Sequence, residues 1–214
     1  EITEAVRIEQ NVDKRHPADF ALWKLAEPAH ILRWPSPWGW GFPGWHLECS
    51  AMSMRYIGET VDIHGGGLDN IFPHHESEIA QSEAANGVQF VRYWMHNNMV
   101  TVDGTRMGKS LGNFITIGQA FRGEHPRLSR GYSPLAVRFF VLSSHYRSPL
   151  DFSDEGLAAA ERGLGRLHES VRRVRERLGS ASEGEVDPEV AGQLEAHKGR
   201  FVAAMDEDFN TPVA

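Results

Sequence analysis

The run Val61-Asp-Ile-His-Gly-Gly-Gly-Leu-Asp, followed closely by Phe72-Pro-His-His-Glu-Ser-Glu-Ile-Ala-Gln, constrains the fold more than any other part of the chain. A short apolar strand ending in three glycines puts bare backbone at the carboxyl edge of a sheet. In doubly wound folds that edge holds nucleotides, because glycine lets ribose or phosphate come close to the main chain. The second run predicts a helix over 73–86, since Pro73 suits a first turn and Gly87 the position just past an end. β-like runs at 60–64 and 99–102 alternate with helix-like runs at 73–86 and 134–143, which argues for α/β layers on a parallel sheet. Taken alone, three glycines are equally a turn of no special purpose.

Farther along, Ser153 with Asp154 and Glu155 behind it makes a capped, dipole-matched helix start. Leu157, Ala160, Leu164, Leu167, Val171, Val174 and Leu178 then recur at three and four residues, one apolar stripe that a packed helix requires. A small polar linker spans 179–185, and a second helix is expected from Pro188 towards Met205.

Of the 214 residues, 41% are hydrophobic and 24% charged, which excludes a disordered or collagen-like chain. No run approaches about eighteen consecutive apolar residues, so no membrane span is expected, and no secretory leader is visible. A formal net charge of -7 gives no bulk basic field for nucleic acid, although a local basic patch is compatible with it. Cys49 is the only cysteine, so an intrachain disulfide is excluded and a reducing cytoplasm fits. Any metal site must therefore rest mainly on histidine and carboxylate.

His74 and Glu78 lie four apart on the predicted helix and share a face, a spacing that can grip one Zn2+. By itself the segment reads as well as a surface helix start whose histidines cap nearby loops, because nothing in the spacing fixes a third ligand. Cys49, in a turn running into a helix, supplies a candidate third ligand; a lone cysteine is otherwise a small buried hydrophobe. Asp69, just after the glycines, could accept from a ribose hydroxyl. Asp103-Gly-Thr-Arg-Met-Gly-Lys-Ser nearly matches a P-loop, but Asp103 stands where the first glycine belongs. It reads either as a mobile loop carrying Lys109 to a phosphate or as an Asp-Gly turn with a solvated lysine.

At these residues the chain resembles the cysteinyl-tRNA synthetases, a family of class I aminoacyl-tRNA synthetases. The resemblance rests on Arg15-His-Pro-Ala-Asp-Phe-Ala-Leu-Trp-Lys, Pro43-Gly-Trp-His-Leu-Glu-Cys-Ser-Ala-Met, Asp62-Ile-His-Gly-Gly-Gly, Ile71-Phe-Pro-His-His-Glu, Lys109-Ser-Leu-Gly-Asn, His145-Tyr-Arg-Ser-Pro-Leu-Asp-Phe-Ser and Met205-Asp-Glu-Asp-Phe-Asn-Thr-Pro. It implies an α/β fold, the C-terminal half of a Rossmann-type catalytic domain, followed by a helical segment. The division it implies is 1–115 for the partial catalytic domain, 116–153 for a connecting α/β segment and 154–214 for the start of a helical bundle that meets the tRNA stem. The implied activity joins cysteine to ATP and passes it to tRNA(Cys), in the cytoplasm and without a membrane.

The same resemblance assigns roles residue by residue. Cys49, His74 and Glu78 would hold Zn2+, which takes the substrate thiolate and so rejects serine without editing. Trp45 and His64 would line the cysteine pocket. His64, Gly65, Gly66, Gly67 and Asp69 would face the nucleotide, and Lys109 would steady the ATP phosphates. The family's HIGH segment and a further cysteine ligand have no counterpart in the 214 residues. A truncated form or truncated paralogue is therefore expected, with an incomplete zinc ligand set and no charging activity of its own. The KMSKS loop reads Arg106-Met-Gly-Lys-Ser, Phe42 replaces a basic residue, Ser77 an asparagine and Asn70 an apolar residue. The readings are thus a piece of a working synthetase, or a stand-alone non-charging paralogue that binds zinc, cysteine or a nucleotide. The mycothiol-pathway cysteine ligase shares the zinc motif and loop lysine but fits less well at Ser50-Ala-Met. Arg166, Arg172, Arg173, Arg175 and Arg177 form either a phosphate-binding face or a solvated one paired with Glu161, Glu169 and Glu176.

Overall fold

Backbone crowding at Gly44 sets the start of the first helix. In the computed structural model, which describes residues 14–181 and 184–214, a Cβ at Gly44 would lie 2.0 Å from the Ala21 carbonyl oxygen. Only glycine lets the two backbones pass. The chain arrives along β2 (Gly41–Pro43), paired antiparallel with β1 (Trp23–Leu25), and turns into α1 (Trp45–Tyr56). Two compact units divide the chain, Glu1–His96 and Asn97–Ala214.

In the first unit, β3 (Val61–Gly67) pairs with β4 (Val91–Asn97), and α2 (Glu76–Asn86) lies between them in sequence. The strand runs through all three glycines, whereas the sequence pattern ends it at His64; the turn comes only at Leu68–Asn70. The helix begins three residues later than Pro73 suggests. Phe72 is held extended (φ -131°, ψ 133°) ahead of a cis Phe72–Pro73 bond, within an irregular turn at Ile71–His75. A residue before proline is pushed out of the helical region by the pyrrolidine ring, which accounts for Phe72; the regular helix begins at Glu76. Gly87 closes α2 with φ 70°, as expected. A small apolar cluster of Val61, Phe90 and Val91, with Trp94 against it, holds β3 to β4.

Helices α1 and α2 meet through small polar side chains. Ser82 Oγ donates to Ser50 Oγ at 2.7 Å, and Gln81 Nε2 reaches both Ser50 Oγ (2.6 Å) and the His46 carbonyl (2.5 Å). Serine-sized contacts let the helices approach closely, which brings Cys49 on α1 towards the start of α2.

In the second unit, β5 (Val100–Val102) is central, antiparallel to β6 (Thr105–Arg106) and parallel to β7 (Leu150–Asp151). The parallel pairing expected from the sequence is thus confined, in this sheet, to β5 and β7. Asp103 and Gly104 take φ of 52° and 71°, the hairpin turn that an Asp-Gly pair favours. Helix α3 (Ile117–Arg122) opens with a Thr116–Gln119 capping box, α4 (Pro134–Leu142) with a Ser133 cap, and α5 (Asp154–Ser180) with Ser153 accepting from the Gly156 N–H. Val102, Ile115, Tyr132, Val137, Phe140, Phe152 and Leu157 belong to the core they share.

The stripe on α5 divides in two. Leu157 and Ala160 are buried, but Leu167, Val171, Val174 and Leu178 are exposed among the described residues, so only the first half of the helix packs as its periodicity predicts. Helix α6 (Pro188–Asp206) follows, capped by Asp187. Arg172 pairs with Glu169 and Glu176, and Arg173 with Glu169, so these arginines form part of a self-paired helix surface. No helix among the described residues is long and apolar enough to cross a membrane.

Candidate metal centre

The helix start at Glu76 places His74 just outside α2 and Glu78 inside its first turn. Both are buried, and the Glu78 side chain is fully so. A lone buried carboxylate is costly unless cations or hydrogen bonds compensate it. One donor atom from each of Cys49, His74 and Glu78 lies within 4.8 Å of the others. His74 Nε2 stands 2.6 Å from Glu78 Oε1, yet that buried oxygen makes no hydrogen bond. An imidazole nitrogen, a carboxylate oxygen and a thiol gathered this closely are a donor set that one cation can share. The thiol, imidazole and carboxylate set suits Zn2+, so the residues present fit the metal that the sequence motifs imply.

Electrostatics support the same use. Burial pushes His74 and His46 below the usual histidine value, which keeps the imidazoles neutral and able to donate lone pairs. Burial, and then the charges of Glu78 and Glu48, push the Cys49 thiol up. A bound cation reverses that balance by stabilising the thiolate.

Glu78 faces a second histidine through its other oxygen: His64 Nε2 lies 2.8 Å from Oε2. Trp45 stacks on His74 with ring centroids 3.9 Å apart and is itself exposed. Gly65, Gly66 and Gly67 lie within β3, and Asp69 in the turn beyond it. A Cβ on Gly66 would fall 2.8 Å from His75 Cε1, so the bare backbone there admits a histidine ring of the same chain. Lys109 belongs to the second unit; it opens the turn Lys109–Leu111, is exposed, and holds its ammonium 5.5 Å above the Phe114 ring. Of the two readings of this segment, the Asp-Gly turn with an exposed lysine is present.

Three histidines that the sequence reading left aside complete the cluster. His46 Nδ1 meets His74 Nδ1 at 2.6 Å, and His75 Nδ1 meets His96 Nε2 at 2.8 Å. Burial, only partly offset by Glu78, lowers His75 to about 4. The available signal for His96 was its place two residues after Trp94 on β4, which puts both on one face. His46 and His75 each adjoin a residue already singled out, but adjacency in sequence says nothing about which nitrogen meets which.

The family model for the class I (C) tRNA synthetase catalytic domain matches residues 1–162. A cysteine–tRNA ligase of Bacteroides fragilis is 57% identical over 201 residues, covering 94% of this chain and 40% of the relative. One from Chlorobium luteolum is 55% identical over 215 residues, covering 100% and 41%. The chain spans about two fifths of the length of these curated relatives. Among solved structures, a LeuRS of Agrobacterium radiobacter in ternary complex with tRNA and LeuAMS matches with a TM-score of 0.63 at 19% identity, covering 90% of this chain and 27% of that one. This last likeness is one of fold.

Proposed function

The chain belongs to the family of class I cysteinyl-tRNA synthetases, and from that premise we propose that its first unit carries the cysteine-recognition centre of such an enzyme. Cys49, His74 and Glu78 hold a zinc ion. When bound, zinc supplies a soft Lewis acid that favours a thiolate over a serine hydroxyl. The protein's own residues do the rest. His74 and Glu78 present neutral nitrogen and anionic oxygen from the buried start of α2, Trp45 walls the pocket, and His64, fixed by Glu78 Oε2, faces the amino acid. Gly65, Gly66, Gly67 and Asp69 are the proposed nucleotide-facing stretch, and Lys109 the proposed phosphate-contacting lysine. Residues 154–214 are proposed as the start of the helical part that meets tRNA, and the cytoplasm as the place of action.

The observation that carries this reading is the fully buried Glu78 carboxylate, whose Oε1 makes no hydrogen bond, with donor atoms of Cys49, His74 and Glu78 within 4.8 Å of one another. Elemental analysis of the purified chain tests it. Bound zinc that falls sharply in Cys49→Ser, and a Cys49-dependent cobalt spectrum that shifts with cysteine and not with serine, are the expected results. Equal zinc in both proteins removes Cys49 from the site. Amino-acid-dependent pyrophosphate exchange on this 214-residue chain separates a charging unit from a binding one.

A further inference from the structure

We propose that His64, His75 and Glu78 form a second cation site, specific for a borderline divalent transition metal such as Zn2+ or Co2+, with Glu78 as the shared wall between it and the Cys49 and His74 site. One donor atom from each of the three lies within 4.8 Å of the others. Glu78 offers a different oxygen to each side, Oε2 towards His64 at 2.8 Å and Oε1 towards His74 at 2.6 Å, which is the disposition of a bridging carboxylate. His75 is backed as metal-binding histidines are: Nδ1 is engaged by His96 at 2.8 Å, so Nε2 is the nitrogen left to a cation. Gly66 makes the room, since any Cβ there would strike the His75 ring at Cε1 and Nε2. His75 and Glu78 are buried, whereas His64 keeps 23% of its side chain exposed and gives a way in.

The donor set selects the ion. Two imidazoles and one carboxylate suit Zn2+, Co2+ or Fe2+ and not Mg2+ or Ca2+, which prefer oxygen throughout. The Cys49 side gathers two anionic donors, a thiolate and a share of Glu78, while the His75 side has Glu78 as its one anionic donor beside two neutral imidazoles. The second ion therefore binds more weakly and enters under metal excess. If His64 lines the cysteine pocket, as proposed above, an ion there competes with cysteine. That consequence rests on the functional reading, but the site itself does not.

Cobalt titration of the metal-stripped chain, read by visible absorption and by cobalt content at equilibrium dialysis against excess metal, tests the proposal. Wild type should take up roughly two ions per chain, one with sulfur-to-cobalt charge-transfer absorption and one without. His75→Ala should keep the charge-transfer band and lose about one ion, while Cys49→Ser should lose the band and keep the His75-dependent ion. His96→Ala leaves the His75 ring in place and should weaken only the second ion, by about 10–100-fold; it serves if His75→Ala does not fold by circular dichroism. A single ion in wild type, with content and spectrum unchanged in His75→Ala or His96→Ala, overturns the proposal. Absence of a charge-transfer band in every protein, with a His75-dependent ion retained, overturns the Cys49 reading and leaves this one standing.

Discussion

His46 and His74 meet Nδ1 to Nδ1 at 2.6 Å, on neighbouring elements of the first unit. Only one of two facing ring nitrogens can carry the proton when both rings are neutral, and burial keeps both neutral. With His74 as donor, its Nε2 lone pair is free on the Glu78 side, so His46 fixes the tautomer a metal needs. Replacing His46 with alanine is expected to weaken zinc retention by about 10–100-fold. Competition with a chromophoric chelator measures this, and unchanged retention would show that His46 only packs.

Gly66 and His75 share a space that leaves no room for a larger residue at position 66. A Cβ at Gly66 would stand 2.8 Å from His75 Cε1 and 3.0 Å from Nε2. Gly66→Ala is therefore expected to destabilise the first unit by about 1–3 kcal/mol, the usual cost of overpacking. Urea denaturation of the single and double variants checks the cause. With His75→Ala already present, most of the Gly66→Ala effect should vanish, since contacting sites are not additive.

Asp154 should contribute to the acid sensitivity of the second unit. Its carboxylate accepts from Tyr132 Oη at 2.6 Å and from the Ser129 N–H at 3.0 Å. The tyrosine bond first, and then the Ser129 amide, hold the carboxyl below its ordinary 3.8. A folded value below the unfolded one stabilises the fold above the ordinary carboxylate range, and the contribution is lost as pH falls from 3.8 through the lowered folded value. Asp154→Asn should thus flatten the acid limb of the stability profile and lower stability modestly near neutrality. Equal acid slopes in both proteins would assign that limb to other carboxylates.

Leu157 is the test of the second core. It has no exposed surface and packs in the cluster with Phe140, Phe152 and Tyr132. Leu157→Ala should cost about 2–5 kcal/mol by denaturant unfolding, as buried leucine truncations do. Farther along the same stripe Val174 is 58% exposed, and Val174→Ala should cost little by the same measurement.

Local chemistry was legible in the sequence wherever the cause was local. Ser153 announced a helix start because a cap is formed by residues a turn away, and the Asp-Gly turn, one of two readings of the Asp103 segment, is likewise a local matter. The end of β3 was not legible. Whether a glycine run turns or continues depends on what lies beside it, and the neighbour of Gly66 is a ring delivered by the irregular turn at Ile71–His75. The α5 periodicity likewise announced a helix, but not that the second half of its stripe would be exposed.

For the site, the sequence by itself determined the donor types: one cysteine, a histidine and glutamate four apart, and a family motif around each. The spacing of four pointed to a pairing of His74 with Glu78 on one helix; the structure keeps the pair, 2.6 Å apart, but with His74 in the turn Ile71–His75 ahead of α2. Only the tertiary structure decided that Cys49 joins them, through the serine-lined contact of α1 with α2. It also decided that Glu78 turns one oxygen to His74 and the other to His64, with His46 and His96 behind. Those relations join residues distant in sequence, and their geometry is set by how closely two backbones can pack, which no local pattern encodes.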